Sequence, residues 1–187
     1  AHGAHLPFSD KLPCEAVRCG ADAAVVSLHK TLPSLTQTAM LLTDNLEISE
    51  KLKENLSIFE TSSPSYILMS AIENCLDFIF YNKDDFKVYT EKLADFYSKT
   101  KSLKNLSILY NDKSFLEQCF DYDFGKIVIS TAKLTISGTE LAMLLRQKYK
   151  IETEMAYTDY VIAMTSVCDT DEGFGRLINA LFEIDSS

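Results

Sequence analysis

A serine, a histidine and a lysine stand close together where an apolar run of this chain ends. The run Ala24–Val26 leads into Ser27, His29 and Lys30, and turn-forming residues follow. Apolar residues bounded by polar ones predict a buried strand over residues 23–28. Open α/β sheets carry their chemistry at the carboxyl ends of such strands. Alternation along the strand predicts that Ser27 and His29 point the same way, with Lys30 on the turn beside them.

The lysine could act as an amine nucleophile. A lysine at a partly dry rim has its charged form disfavoured, which is the condition that an amine nucleophile requires. A surface lysine that simply follows a core strand explains the residues of this stretch equally well. The stretch alone leaves both interpretations open.

The bulk composition is that of an ordinary globular protein and excludes several partners. The chain has 187 residues, of which 47% are hydrophobic and 24% charged. Its net charge of −9 disfavours nucleic acids and anionic membranes as partners, because both require a basic face. No apolar run approaches the length of a membrane-spanning helix, and no signal peptide is recognisable.

The metal-ligating residues are few and scattered. The five cysteines form no CxxC pair, so we predict reduced thiols and a cytoplasmic protein. His2 and His5 are three residues apart, but no carboxylate or cysteine stands at a convincing spacing from them. We therefore predict no metal site.

The predicted elements divide the chain into two parts. A charged break at residues 82–85 separates them, so we predict domains over 1–85 and 86–187. Elements are assigned from apolar spacing, and a helix N-cap is expected at Ser63. The first part has strands over 23–28 and 36–42, a helix over 46–59 and a helix from Pro64 to Ile79. The second part has a helix over 89–103, strands over 105–110 and 126–131, a helix from Ser137 to Tyr149, strands over 151–155 and 160–167, and a helix from Asp169. This order of elements predicts a small α+β layer domain.

Several of these stretches together resemble the bacterial ornithine/lysine/arginine decarboxylases, which depend on pyridoxal phosphate and have the aminotransferase fold. The similarity covers essentially the whole chain. The segments that carry it are Ala1–His5 with Pro7 and Phe8, Ser27–Thr31 continued by Gln37 and Thr38, Thr61–Tyr66, Leu134–Glu140, and Asp169–Glu172 with Phe174, Arg176 and Leu177. The implied fold class is α/β: the C-terminal portion of the cofactor-binding large domain, followed by a small α+β C-terminal domain.

The resemblance implies a role for individual residues. Lys30 would form the Schiff base with pyridoxal phosphate, and the cofactor would serve as an electron sink when carbon dioxide departs. Glu154 would bind the distal amine or guanidinium of a basic amino acid, although a solvated strand glutamate is the simpler alternative. Ala1 and His2 would lie near the cofactor ring, Ser27 and His29 would contact its phosphate, and Thr61, with Ser62 as a helper, would contact the phosphate in a neighbouring subunit's site.

The resemblance also implies partners. A shared site requires a homodimer or a higher homo-oligomer. The aspartate that pairs with the cofactor's ring nitrogen is expected two residues before Ala1, and the phosphate loop is expected further upstream. Because the chain begins without Met in site-like sequence, we expect it to be the back part of a longer enzyme.

Three functions are consistent with these observations. The first is decarboxylation of arginine, lysine or ornithine in polyamine biosynthesis, by an enzyme of which this chain is a fragment. The second is a truncated, non-catalytic relative that acts as a dimerisation or binding module. The third is another pyridoxal-phosphate enzyme of the same fold, an aminotransferase or a lyase, which Glu154 and the Ser-x-His-Lys pattern disfavour.

Overall fold

The chain folds into two compact units. The structure is a computed structural model that describes residues 2–186. The first unit ends at Lys87 and the second begins at Val88. Each unit has a sheet and helices of its own, so each is described by itself. No helix among residues 2–186 is long and apolar enough to cross a membrane.

The first unit is built on a two-stranded antiparallel sheet. Strand β1 pairs with β2 so that Ser27 faces Ala39 and Val26 faces Met40. A loop of turn residues joins the two strands, which explains why they are neighbours in the sheet. The elements of this unit are β1 (Ala24–Ser27), α1 (Leu28–Thr31), β2 (Ala39–Leu42), α2 (Leu46–Phe59) and α3 (Tyr66–Tyr81), and helix α4 (Lys83–Thr100) runs across the unit boundary.

The predicted strand over 23–28 is too long at its carboxyl end. Strand β1 stops at Ser27, and the backbone N–H of Leu32 donates to the Leu28 carbonyl at 2.9 Å, which closes a helical turn. The prediction that Ser27 and His29 share a strand face is therefore wrong, because His29 and Lys30 lie on that turn. The predicted strand over 36–42 is likewise shortened, since only Ala39–Leu42 pair with β1.

The two helices that follow agree with the periodicity of their sequences. Helix α2 has the predicted bounds, and the Asn45 side chain accepts hydrogen bonds from its first turn. Helix α3 begins two residues later than predicted, because Ser65 rather than Ser63 is its N-cap and accepts from the Leu68 N–H. Its apolar residues are largely in solvent: Ile67 is 72% exposed and Tyr81 77% exposed. Only Cys75 of α3 is buried.

The second unit is the predicted α+β layer domain. Its elements are the rest of α4, β3 (Ser107–Ile108), α5 (Lys113–Leu116), β4 (Lys126–Ser130), α6 (Gly138–Tyr149), β5 (Met155–Ala156), β6 (Tyr160–Met164) and α7 (Asp171–Asp185). The strands form one antiparallel sheet in the order β3-β4-β6-β5. The buried side chains of this unit include Leu93 and Phe96 of α4, Ile127 and Ile129 of β4, and Leu141, Leu145 and Leu181 of the later helices.

The predicted elements of this unit occur in the predicted order, but the short helix α5 between β3 and β4 was not predicted and several bounds are wrong. Strands β3 and β5 contain only two residues each, because the chain pairs with its neighbour over a shorter length than its apolar pattern covers. Helix α4 begins at Lys83 and ends at Thr100 rather than running from Tyr89 to Leu103. Asn82 is the single residue between α3 and α4, and it lies within the predicted charged break.

The carboxylate of Asp185 joins the end of α7 to the segment before β3. Its oxygens accept from the backbone N–H groups of Lys104, Asn105 and Leu106 at 2.6–2.8 Å. Asp185 is only 7% exposed, so these bonds replace its hydration. Burial acts to raise the pKa of this carboxyl, but the three backbone hydrogen bonds and the charge of Lys104 outweigh it and lower the pKa below its ordinary value.

We expect the substitution Asp185→Asn to lower the free energy of unfolding by about 2 kcal/mol, because a neutral amide cannot accept all three backbone hydrogen bonds. Urea denaturation of the two proteins at neutral pH measures the difference. Glu183→Gln, in the same helix but paired with Lys148 at the surface, is the matched control and should change stability by less than about 0.5 kcal/mol.

The same carboxylate predicts a dependence on pH. Since its pKa is lower in the folded chain than in the unfolded chain, the unfolded state binds more protons between the two values. The contribution of Asp185 is therefore complete above about pH 4 and is lost as the pH falls through the folded-state pKa. The difference in the free energy of unfolding between wild type and Asp185→Asn should therefore decrease as the pH falls below about 4. A gap that stays constant down to about pH 2 would contradict this assignment.

Candidate functional site

The three candidate residues Ser27, His29 and Lys30 lie on one short turn at the end of β1. Leu28 and Thr31 of this turn are buried, while Ser27, His29 and Lys30 are half-buried. The buried pair anchors the turn in the first unit. A hydroxyl, an imidazole and an amine are thus held within four consecutive residues at the edge of the unit.

Ser27 occupies the N-cap position of the turn without using its side chain as a cap. Its backbone is extended, with φ −81° and ψ 117°, and its hydroxyl makes no capping hydrogen bond. Serine at this position ordinarily accepts from the N–H of the second or third residue. The Ser27 hydroxyl is therefore not committed to the helix and can contact a bound group.

The imidazole of His29 contacts the backbone of the neighbouring strand connection. Its Nδ1 lies 3.0 Å from the Thr38 carbonyl oxygen. The same oxygen accepts the backbone N–H of Leu28 at 3.1 Å. Since a carbonyl can only accept, Nδ1 must be the donor, which leaves Nε2 as the nitrogen that can contact another group.

The turn over residues 33–38 positions this carbonyl. Thr38 is buried, and its hydroxyl donates to the Leu35 carbonyl at 2.7 Å and lies 2.8 Å from Ser34 Oγ. Gln37 has a φ of 77°, in the left-handed region that few residues other than glycine adopt. Sequence reasoning assigned Thr38 to a strand and missed its role, although Gln37 and Thr38 belong to the stretch that carries the family resemblance.

The remaining candidate residues of the first unit lie elsewhere on its surface. His2 is exposed, and Ala1 lies outside the described residues. Thr61 and Ser62 are exposed in the loop between α2 and α3, where Thr61 Oγ1 accepts from the Ser63 N–H at 3.2 Å. Their predicted roles at the cofactor stay predictions.

Glu154 belongs to the second unit and is exposed just before β5. Its backbone N–H donates to the Ile162 carbonyl at 2.8 Å, which fixes the start of the hairpin. The nearby Glu152 is engaged differently, because it forms a two-point ion pair with Arg146. Those hydrogen bonds, with the charge of Arg146, hold the pKa of the Glu152 carboxyl below its ordinary value. The predicted role of Glu154 in binding a cationic ligand stays a prediction.

One broad depression lies next to the candidate turn. It measures about 780 Å³ and is lined by Pro33–Leu35 together with the first turns of α3 (Tyr66, Ile67, Ser70, Ala71 and Asn74). None of the predicted site residues lines it. Among residues 2–186, no group of three histidine, cysteine or carboxylate side chains is placed to hold a metal ion.

Comparison with known proteins gives relatives along nearly the whole chain. No protein-family model matches it. The chain is 31% identical over 186 residues to an arginine decarboxylase of Halalkalibacterium halodurans, an alignment that covers 98% of this chain and 38% of that protein. An arginine decarboxylase of Bacillus subtilis is 28% identical over 186 residues, with the same coverage. The chain thus spans 38% of the length of these relatives.

Solved structures share the fold. The constitutive lysine decarboxylase of E. coli matches with a TM-score of 0.69 and 15% identity, over 88% of this chain and 28% of that chain. A phosphoserine aminotransferase from Cytophaga hutchinsonii matches with a TM-score of 0.56 and 17% identity, over 87% of this chain and 49% of that one. The predicted fold class, a portion of the aminotransferase-type large domain followed by a small α+β domain, is confirmed.

The left-handed backbone of Gln37 predicts that glycine is more stabilising than alanine at this position, the reverse of the order expected at most positions. We expect Gln37→Gly to be more stable than Gln37→Ala by about 1 kcal/mol, because a Cβ is strained at this φ. At Thr36, whose φ is not positive, alanine should be favoured over glycine by about 0.5 kcal/mol, because glycine gains more entropy on unfolding. Thermal or urea denaturation of the four variants measures both differences. The same order at both positions would contradict the assigned turn geometry.

Proposed function

From the premise that this chain is homologous to a portion of the ornithine/lysine/arginine decarboxylases, we propose that it forms part of a pyridoxal-phosphate-dependent decarboxylase of a basic amino acid. Lys30 is the residue that attaches the cofactor. The observation that carries the proposal is the β1–α1 turn, because it holds a hydroxyl, an imidazole and an amine side by side at a half-buried edge. Relatives named arginine decarboxylase support the same chemistry.

The turn fits the two ends of pyridoxal phosphate. The Ser27 hydroxyl is not used as a cap, and Nε2 of His29 is the ring nitrogen that does not face Thr38. A hydroxyl and an imidazole suit a phosphate group, while the amine of Lys30 suits an aldehyde. When bound, the cofactor withdraws electrons from the carbon that loses carbon dioxide. Ser27 and His29 would hold the cofactor at its phosphate, and Lys30 would hold it at its aldehyde.

The substrate is proposed to be arginine, lysine or ornithine, with Glu154 as the anion that binds its distal cation. Glu154 is exposed in the second unit. A carboxylate pairs with either an ammonium or a guanidinium group, and the planar guanidinium allows two parallel hydrogen bonds. Rates of carbon dioxide release from the three amino acids identify the preferred substrate.

The site is proposed to be completed by other chain segments. The relatives are longer than this chain, and the ring-nitrogen aspartate and the phosphate loop of the family belong to their additional length. Thr61 and Ser62 are exposed, which suits a contact with the phosphate in a neighbouring subunit. The exposed apolar side chains of α3 suit burial against a second copy or against the additional length. We therefore propose a homo-oligomer with shared sites, located in the cytoplasm.

We expect borohydride reduction of the intact protein with pyridoxal phosphate to add the reduced cofactor to Lys30. Mass spectrometry of the digested protein locates the adduct, and Lys30→Ala should abolish it together with carbon dioxide release. Lys51→Ala, at an exposed position of α2, is the matched control and should keep both. An adduct that persists in Lys30→Ala sinks the proposal. A protein that forms no adduct but still self-associates supports the binding-module alternative.

Glu154→Gln should raise KM for the preferred amino acid by roughly 10- to 100-fold, which is the effect of losing one charge-assisted hydrogen bond of about 1.5–3 kcal/mol. The change in kcat should be smaller, because the distal group does not react. Glu152→Gln is the control, since Glu152 is paired with Arg146, and it should leave KM within about twofold. Equal KM effects at the two positions would remove Glu154 from the substrate site.

A further inference from the structure

One ring nitrogen of His29 faces an atom that can only accept a hydrogen bond. Nδ1 lies 3.0 Å from the Thr38 carbonyl oxygen, which also accepts the Leu28 N–H at 3.1 Å. A carbonyl oxygen has two lone pairs, and both are engaged by these donors. The ring therefore carries a proton on Nδ1, whatever the state of Nε2.

We propose that Thr38 is a positioning residue for the phosphate subsite: its carbonyl keeps the proton of His29 on Nδ1 and so reserves Nε2 for the phosphate. The inference rests on the proposed function, since it concerns the same cofactor. It adds a residue that acts through His29 rather than by touching the cofactor. In this proposal the turn over residues 33–38 serves to position the Thr38 carbonyl.

The Thr38 carbonyl is fixed by the chain on either side of it, so it can orient the imidazole ring of His29. The backbone N–H and the hydroxyl of Thr38 both donate to the Leu35 carbonyl, at 3.2 and 2.7 Å. On the other side, Ala39 pairs with Ser27 in the sheet. Gln37 takes the left-handed backbone that this closure requires. Burial of Thr38, which is 2% exposed, removes water as a competing donor to this oxygen.

The fixed tautomer has a chemical consequence for the bound anion. With Nδ1 protonated, Nε2 of the neutral ring presents a lone pair, which repels an oxygen of a phosphate dianion. A hydrogen bond forms when Nε2 gains a proton or when a phosphate monoanion donates its O–H. In both cases the complex contains one proton more than the neutral ring and the free dianion.

Strands β1 and β2 and the turn over residues 33–38 contain no titratable side chain. On α1 itself, Lys30 is the titratable neighbour. A proton at Nε2 attracts an anion, so this position favours a phosphate over a neutral ligand.

The tautomer can be measured without cofactor and without activity. The intact protein is labelled with ¹⁵N-histidine, and long-range ¹H–¹⁵N correlation spectra are recorded above about pH 8, where an ordinary histidine is neutral. The His29 signals are those absent from the spectrum of His29→Gln. We expect a protonated Nδ1 and a bare Nε2, which is the opposite of the tautomer that free histidine prefers. A protonated Nε2 with a bare Nδ1 overturns the inference.

Variants of the turn test the part played by Thr38. Thr38→Val removes the hydroxyl that closes the turn, so we expect mixed His29 tautomers. Because the ring also loses its fixed orientation toward the phosphate, we expect roughly tenfold weaker binding of pyridoxal phosphate. Thr38→Ser should restore both properties. Thr36→Val, an exposed threonine of the same turn, should change neither. If Thr38→Val fails to fold, the His29 tautomer measured in the wild-type protein alone tests the inference.

Failure of this inference can be distinguished from failure of the proposed function. If pyridoxal phosphate labels Lys30 but leaves the Nε2 signal of His29 unchanged, the inference is wrong and the proposed function stands. If no adduct forms at Lys30, the proposed function is wrong, and the phosphate role of Thr38 falls with it. A shifted Nε2 signal together with a labelled Lys30 supports both.

Discussion

The carbonyl oxygen of Thr38 accepts two hydrogen bonds, and the arrangement of the candidate site depends on them. The Leu28 N–H continues the pairing of β1 and β2 for one more residue, at the point where the strand becomes a helical turn. Nδ1 of His29 uses the same oxygen. One atom thus sets both where the backbone changes direction and how the imidazole is oriented. Lys30 follows directly, so its position on the turn is set by the same pairing.

The parts of the fold that could be predicted are those with long periodic patterns. Helix α2 has apolar residues mostly at three- and four-residue steps and an Asn cap, and its bounds are as predicted. Strands β3 and β5 could not be bounded, because a strand of two residues ends where its partner stops pairing and the sequence does not mark that point. The predicted strand included Leu28 and its alternation was extended to His29, because so short a stretch cannot distinguish a strand from a helical turn by periodicity.

In the candidate site, contributions of side chains could be predicted from the sequence, whereas contributions of the backbone could not. Ser27, His29 and Lys30 could be proposed because their side chain types suit such chemistry, and all three lie at the β1–α1 turn, but their roles stay predictions. Thr38 could not, because its contribution is a carbonyl oxygen that every residue possesses. The roles of Thr61 and Glu154 stay predictions, since Thr61 lies in an exposed loop and Glu154 belongs to the other unit.

Helix α3 has a consequence for the biosynthesis of the protein. A helix with Ile67, Phe80 and Tyr81 in water presents the kind of surface that aggregates and that chaperones recognise. Pairing of that surface must compete with aggregation from the moment the helix leaves the ribosome. Because aggregation depends more steeply on concentration than intramolecular burial does, a low rate of synthesis and a low temperature favour the folded protein. The yield of this chain is therefore governed by kinetics as much as by the stability of its two units.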